Sequence, residues 1–377
     1  MLENNSAGEL LPEYRVTFIR DPKLNRLEAN IHDAMIRLMH IKDTELASRL
    51  VIDDENPDYI IASDTSLWFL PDCEKLRDYM RRRRDGIFIY FTDECIEPDL
   101  NLFDYAFTWN PDLFCGDRIN HNEPYIYRHQ DELVNDLTPE EARRILDSHP
   151  SFCNFIYSHP NEPRDSFFQL LSQYKHVDSS GRHLNNTATP STRHTANWYE
   201  LSVKMKLGYK FSIAMENASC KGYTTEKLIT SLQAHNVPIY WGDPEVSKYI
   251  NPKAFINISD YSSFEEAIER VKEIDNNDDL WLDMVTQPWQ TEEQRDKIAR
   301  MIDESNAFIR HIFTQDIKKA RRRIVGYCND WCIYGFTGLV GIMPPYYLRA
   351  ARKIRRAIGK RLPPKIKSKL KKFLHMN

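Results

Sequence analysis

Short hydrophobic runs alternate with helical stretches along most of the chain, and this pattern predicts an α/β fold. In the first half the runs are rich in β-branched and aromatic residues, and polar, helix-forming segments separate several of them. Strand–helix alternation of this kind is typical of parallel sheets. Strands are predicted at 14–19, 58–63, 86–92, 104–109, 152–157, 209–215, 237–241 and 254–258, and helices at 224–235, 263–275 and across 276–322.

A polar, helical stretch at 134–150 ends on His149-Pro150 and predicts a division of the chain there. We expect an N-terminal domain over 1–150 and a C-terminal domain over 151–346. A basic tail over 347–377 follows. Two α/β halves facing each other across a cleft are typical of two Rossmann-like domains. The loop 178–197 is rich in Ser, Thr and Asn and long enough to be functional.

Charge is distributed unevenly. The 377 residues have a formal net charge of −4 and a mean hydropathy of −0.59. Residues 349–377 contain 12 Lys and Arg and no Asp or Glu, which leaves 39 basic and 55 acidic residues before them. Such segregation predicts a binding partner for the tail.

The tail has the pattern of two short basic amphipathic helices around Pro363-Pro364. This pattern favours binding to an anionic membrane surface. Nucleic-acid binding and a solvated tail are weaker alternatives, since nothing else in the chain supports nucleic acid as a partner. The apolar positions are Tyr347, Ala351, Ile354 and Ile358, then Ile366, Leu370, Phe373 and Leu374.

The cellular compartment of the protein is indicated by the absence of certain sequence features. The chain has no run of 18 or more apolar residues, so no transmembrane helix is predicted. Its acidic N-terminus has no apolar segment of the kind found in signal peptides. Seven scattered cysteines suit a reducing compartment, and Cys328-x3-Cys332 has no second ligand pair at zinc spacing. We therefore expect a cytoplasmic protein whose basic tail lies on the inner face of a membrane.

The stretch 209–242 carries the strongest chemical signal. It predicts a strand, a polar loop at 216–223, an amphipathic helix that opens on Thr225-Glu226-Lys227, and a second strand. A loop that feeds a helix N-terminus offers free backbone N–H groups to an anion. A lysine meets phosphate as a point charge, and a carboxylate accepts hydrogen bonds from ribose hydroxyls. The segment therefore indicates a nucleoside-diphosphate site.

This stretch resembles the donor-binding motif of the α-1,3/4-fucosyltransferases, glycosyltransferase family 10, in their bacterial form. Two further segments, 152–174 and 91–106, resemble the strand–loop–helix that opens the family's C-terminal half and the segment with its general base. The three matches keep their order over roughly 85–275. The donor motif stands here as Glu216-Asn217, Tyr223-Thr224-Thr225-Glu226-Lys227 and Val237-Pro238-Ile239-Tyr240-Trp241-Gly242.

The resemblance implies a GT-B fold and inverting α-1,3-fucosyl transfer from GDP-β-L-fucose. Glu94 aligns with the family's general base, with Asp93 as the competitor, because this chain has Thr-Asp-Glu-Cys where the family commonly has Thr-Gly-Glu-Asn. Glu216 is either structural or close to the fucose, and Asn186 matches an element near the donor. The implied donor-binding residues are Arg164, Asn217, Tyr223, Thr225, Glu226 and Lys227, with Thr225 capping the helix.

Several alternatives stay open at this stage. No strand-flanked Asp-x-Asp occurs, so no metal site and no required cofactor are predicted, while stimulation by a divalent metal is left open. The implied acceptor is an N-acetyllactosamine-type end on a lipid-linked glycan or lipopolysaccharide O-antigen, with a Lewis-x-like product. The alternatives are an α-1,4 linkage, another GDP-sugar, or a non-catalytic glycan- or nucleotide-binding protein. A homodimer is compatible with the sequence.

Overall fold

Two parallel sheets, each covered by helices, make up the protein. A computed structural model describes residues 12–19, 43–63, 70–92, 94–121, 130–188 and 198–324. The strands are β1 Tyr14–Ile19, β2 Leu50–Ile52, β3 Tyr59–Ser63, β4 Ile87–Phe91, β5 Tyr105–Thr108, β6 Ile119–His121, β7 Ser151–Phe155, β8 Val177–Ser179, β9 Tyr209–Met215, β10 Val237–Trp241 and β11 Ile256–Asn257. The helices are α1 Thr44–Ser48, α2 Leu70–Arg82, α3 Pro139–Asp147, α4 Glu162–Tyr174, α5 Trp198–Lys206, α6 Glu226–Gln233, α7 Phe264–Asp275, α8 Asp278–Val285, α9 Glu292–Thr314 and α10 Ile317–Ala320.

The first sheet has six parallel strands in the order β2-β1-β3-β4-β5-β6. Every residue of β4, sequence IFIYF, is buried, as is typical of a parallel strand with both faces covered. One face packs on α2 through Leu76, Tyr79 and Met80. The opposite face packs on α1 and on the end of α9.

The second sheet has five parallel strands in the order β11-β10-β9-β7-β8. Helices α3, α4, α7 and α8 contribute to the core on one face, where Trp281 is fully buried. Helix α6 and the first half of α9 cover the other face. The strand order reverses between β7 and β9, and ligands of open α/β sheets bind beyond the carboxyl ends of strands at such a point.

Helix α9 joins the two halves. Its early residues Ile298 and Ile302 pack on the second sheet, whereas Ile309 and Phe313 pack on the first. Beyond α10, Arg323 forms a buried ion pair with Asp104 of the first half. The division predicted at residue 150 stays a prediction, and the end of the described chain contributes to the first core.

The predicted strands agree closely with the structure except near 254–258. There a strand of only two residues, β11, lies between two short 3-10 helices at Pro252–Ala254 and Ile258–Asp260. Within the described part of the chain, no helix is long and apolar enough to cross a membrane. The basic tail 347–377 and the cysteines at 328 and 332 lie outside the described residues.

Candidate functional site

The carboxyl ends of strands from both sheets meet at one cleft. Glu94 lies three residues beyond the end of β4, and Glu216 and Asn217 directly follow β9. Tyr157 follows β7, and Arg164 lies in the first turn of α4. The candidate residues of the second sheet are therefore at its strand-order reversal, where a ligand crevice is expected.

Glu94 contacts the second half of the protein directly. Its Oε2 accepts hydrogen bonds from the Tyr223 hydroxyl at 3.2 Å and from Asn217 Nδ2 at 3.4 Å. Its backbone is held by the first half, because Glu94 O accepts from Trp109 Nε1 at 2.9 Å and Glu94 N donates to Thr92 Oγ1 at 3.0 Å. The fold thus brings together residues that are more than 120 positions apart in sequence.

Tyr223 is a hydrogen-bond donor at this contact. It is 2% exposed, and burial, followed by the nearby Glu94 carboxylate, raises the pKa of its phenol well above the usual value. The phenol therefore stays protonated, and its hydroxyl donates a hydrogen bond to Glu94 Oε2. Its ring packs edge-on against Trp109 with ring centroids 5.9 Å apart.

Two other contacts cross the cleft beside Glu94. Lys221 Nζ lies 2.5 Å from Asp112 Oδ2 in an exposed ion pair. The thiols of Cys95 and Cys220 are hydrogen-bonded, and burial followed by that contact raises the pKa of Cys95. The loop between β9 and α6 is therefore held against the first half at several points.

Arg164 is buried, which differs from the exposed, locally paired arginine that its position alone would suggest. Its guanidinium lies over the Tyr157 ring at 4.2 Å, and Nη1 donates to Asn217 Oδ1 at 3.1 Å. Asp165 instead contacts His183. The Arg164 Nε is buried and has no hydrogen-bond partner among the described residues, so this cation retains capacity for an anion.

Lys227 is the centre of a buried charge cluster at the start of α6. Its Nζ lies 3.1 Å from Glu216 Oε2, 3.4 Å from Glu226 Oε1 and 2.9 Å from Thr225 Oγ1. Glu216 is fully buried, while the Lys227 side chain is 17% exposed. The Lys227 side chain therefore stays partly accessible, and the buried Glu216 carboxylate holds its ammonium in place.

Thr225 is the N-cap residue of α6, but its side chain makes no capping hydrogen bond to the helix. Its hydroxyl donates to Glu216 Oε2 and its backbone N–H donates to Glu216 Oε1, both at 2.7 Å. The Glu216 carboxylate thus takes the place at the helix N-terminus that an anion would occupy. Of the two alternatives for Glu216, the contacts support the structural one.

The charges of this cluster are shifted by burial and by one another. Burial raises the pKa of the Glu216 carboxyl, although Lys227 opposes this. Burial acts in the same sense on Glu226, but Lys227 and hydrogen bonds bring the pKa of Glu226 below its usual value. Burial alone would lower the pKa of the Lys227 ammonium, yet Glu216 and Glu226 raise it. Lys227 is therefore a permanent cation at neutral pH.

Gly242 makes room for Glu216. A Cβ at this position would lie 2.4 Å from Glu216 Cγ and 2.8 Å from Tyr240 Oη, inside van der Waals contact. Both neighbours are buried, so neither can move away at low cost. The glycine that follows β10 is therefore part of the framework that positions Lys227.

A pocket opens beside the charge cluster, between α5 and α6. Its cavity volume is about 50 Å³, far below that of a pocket that encloses a whole small ligand, so it can receive only a few atoms of one. Its wall combines aliphatic side chains with charged ones at the start of α6. The lining residues are Ile156, Tyr157, Ser202, Lys206, Ile213, Glu226, Lys227 and Thr230.

Two other predicted residues stand apart from this arrangement. The Asn186 side chain is used by backbone groups, accepting from Ser179 N at 2.6 Å and donating to Val177 O at 2.9 Å. It therefore fastens the loop to β8. Asp93 lies outside the described residues. In the described ranges, no group of three His, Cys, Asp or Glu residues could hold a metal ion.

Sequence reasoning missed Lys206, Tyr157 and Trp109. Each lies beside a predicted site residue only because the chain folds back on itself. Tyr157 could have been suspected, since it follows β7 just before Arg164. Lys206 ends an ordinary amphipathic helix, and nothing in its local sequence marks it.

The model of glycosyltransferase family 10 (fucosyltransferase), C-terminal part, matches residues 149–323, which span both the Arg164 segment and the Lys227 cluster. Residues 149–323 are therefore similar to the C-terminal domain of glycosyltransferase family 10. The matched stretch of the family 10 domain contains the whole second sheet and continues along α9 to Arg323.

Curated relatives of the chain are fucosyltransferases as well. The alpha-(1,3)-fucosyltransferase of Helicobacter pylori is 30% identical over 248 residues, covering 57% of this chain and 49% of that protein. Human GDP-fucose protein O-fucosyltransferase 3 is 31% identical over 129 residues, covering 32% and 26%. The chain thus spans about half the length of the first relative and about a quarter of the second.

Solved structures extend the likeness to the fold. A crystal structure of an alpha1,3-fucosyltransferase superposes with a TM-score of 0.58 at 22% identity, covering 84% of this chain and 95% of that one. A structure of such an enzyme with GDP superposes at 0.55 and 22% identity, covering 81% and 93%. The GT-B arrangement of two α/β halves around a cleft is therefore confirmed.

Proposed function

We propose that this protein is an inverting α-1,3-fucosyltransferase that uses GDP-β-L-fucose. The observation that carries the proposal is the contact of Glu94 with Tyr223 and Asn217 across the cleft. It places a carboxylate from the first sheet beside the loop that leads to Lys227. The family match and the relatives that are fucosyltransferases support fucose as the transferred sugar.

The proposed reaction needs a base and a means to stabilise the leaving diphosphate. Glu94 would accept the proton of the acceptor hydroxyl as that oxygen attacks the anomeric carbon. The bond from that carbon to the diphosphate would break, and Lys227 and Arg164 would stabilise the GDP that leaves. Glu226, beside Lys227 in the pocket wall, would accept hydrogen bonds from the ribose.

Donor choice is tested by competition between GDP-sugars. We expect GDP-fucose to be turned over and GDP-mannose to be bound through the shared nucleotide without efficient transfer. The measurement is release of GDP with each sugar nucleotide in the presence of N-acetyllactosamine. Faster transfer from GDP-mannose would contradict the proposed donor and would favour a related enzyme for another GDP-sugar.

The proposed acceptor is an N-acetyllactosamine-type end on a lipid-linked glycan or O-antigen, giving a Lewis-x-like product. The open side of the cleft next to Glu94 is where its hydroxyl would enter. The proposed location is the cytoplasmic face of a bacterial inner membrane, supported by the basic amphipathic pattern of 347–377. A homodimer is compatible with this proposal.

Truncation after Leu348 tests the membrane part of the proposal. We expect the full chain to bind vesicles that contain anionic lipid and to lose this binding when salt is raised, because the tail holds 12 cations. The truncated chain should stay in solution and keep its activity on soluble sugars. A full-length protein that ignores anionic vesicles in a flotation assay would contradict this role.

A further inference from the structure

Lys206 is a cation that the fold buries next to the proposed donor site. It is the last residue of α5 and is 4% exposed. Its Nζ donates to Lys227 O at 3.1 Å, Thr230 Oγ1 at 2.7 Å and Ser231 Oγ at 3.0 Å. These three bonds use all its hydrogens. Among the described residues, Lys206 forms no direct ion pair with a carboxylate.

This placement is costly for a cation. The acceptors belong to the first two turns of α6, whose positive dipole end disfavours an ammonium. The charged groups that face Lys206 are Glu216 at the end of β9 and Glu226 and Lys227 on α6, together with the neutral Tyr157 after β7. The pKa of Lys206 is lowered to about 7, chiefly by burial, with Glu226 and Glu216 opposing the shift and Lys227 adding to it.

The same side chain lines the pocket. Lys206 is found in its wall together with Tyr157, Glu226 and Lys227, beside the proposed diphosphate site. Two ammonium groups therefore converge on one small cavity. Lys227 is paired with Glu216 and Glu226, whereas Lys206 has no direct ion pair among the described residues, so an anion bound in the cavity would supply the counter-charge that Lys206 lacks.

We propose that Lys206 is a positioning residue of the donor site: it fixes the Lys227 backbone and the first turn of α6, and it adds a second positive charge to the pocket that receives the nucleotide diphosphate. The proposal rests on the proposed function, because it takes a GDP-sugar as the ligand. It goes beyond the family motif, whose cations in this chain are Arg164 and Lys227.

The proposal has a proton-linked consequence. The free protein holds Lys206 partly deprotonated near pH 7, and a bound diphosphate favours the ammonium and so raises its pKa. Binding therefore takes up protons between the free and bound pKa values. At pH well below 7 Lys206 is already charged and no uptake occurs, whereas affinity falls as pH rises above 7.

Calorimetry on the full chain tests this directly. GDP-fucose is titrated without acceptor in buffers of different ionisation enthalpy, so that proton uptake on binding can be measured. GDP-fucose is the ligand because its diphosphate carries no proton that titrates near neutrality. We expect net proton uptake that appears above about pH 7. Lys206→Met should lose this uptake and bind about tenfold more weakly, because the diphosphate loses a nearby positive charge.

Controls separate the possible outcomes. Lys204→Met removes an exposed lysine from the same helix and should bind as wild type. Lys206→Arg should restore most of the affinity without the pH dependence. If wild type binds without proton uptake, or Lys206→Met keeps both uptake and affinity, the inference is overturned and the proposed function stands. If wild type does not bind GDP-fucose, both are overturned.

Discussion

Lys227→Ala is expected to weaken binding of GDP by about 100-fold, as loss of one or two hydrogen bonds to a charged group would predict. The ammonium is held at the start of α6 by two carboxylates, Glu216 and Glu226, and the Lys227 side chain is partly exposed. Neither carboxylate can replace it toward a phosphate. Isothermal titration calorimetry with GDP measures the effect.

The control for Lys227 must account for folding. Removing this cation leaves Glu216 fully buried without a counter-charge, so some loss of thermal stability is expected as well. Lys227→Met combined with Glu216→Gln removes both charges and should fold without regaining affinity. Lys248→Ala, which breaks only an exposed pair with Glu245, should leave GDP binding unchanged. Wild-type affinity in a folded Lys227 variant would remove its proposed role.

Glu94→Gln is expected to leave GDP binding intact and to reduce transfer by about 100-fold to 10,000-fold, the range for loss of a general base. Glutamine can still accept the hydrogen bond from Tyr223, so the cleft contact is preserved while the proton acceptor is lost. Initial rates of fucosyl transfer at saturating donor measure the effect.

Glu97→Gln is the matched control for Glu94. Glu97 lies in the same segment, is exposed and accepts a hydrogen bond from Asn110 Nδ2 at 2.6 Å without contacting the second half. Its variant should transfer fucose at the wild-type rate. Substantial transfer by Glu94→Gln would move the role of base to Asp93 or to another group.

Much of the fold could be predicted because its strands are buried on both faces. Continuous apolar runs such as the one in β4 leave little doubt about where a strand lies, and β1, β9 and β10 match the predicted ranges. Helix α6 is shorter than predicted, since it begins at Glu226, after Thr225 has turned its hydroxyl and N–H to Glu216. The helix propensity of the local sequence does not indicate that contact.

The sequence predicts the candidate site as a set of residues and not as an arrangement. The family resemblance implies Arg164, Asn217 and Lys227, but the burial of Arg164 against Tyr157 depends on how α4 packs. The bridge from Glu94 to Tyr223 joins residues of two different sheets. Lys206 reaches the site only because α5 packs on α6. Such long-range contacts follow from tertiary packing, which single-sequence patterns do not encode.

The most direct test of the central claim is transfer from GDP-fucose to N-acetyllactosamine by the full chain, with the linkage of the product read by NMR. The account predicts an α-1,3-linked fucose on the N-acetylglucosamine residue. A product with another linkage or sugar would contradict the proposed specificity. Tight GDP binding with no transfer and no hydrolysis of GDP-fucose would contradict catalysis itself and would leave a nucleotide-binding protein with the same fold.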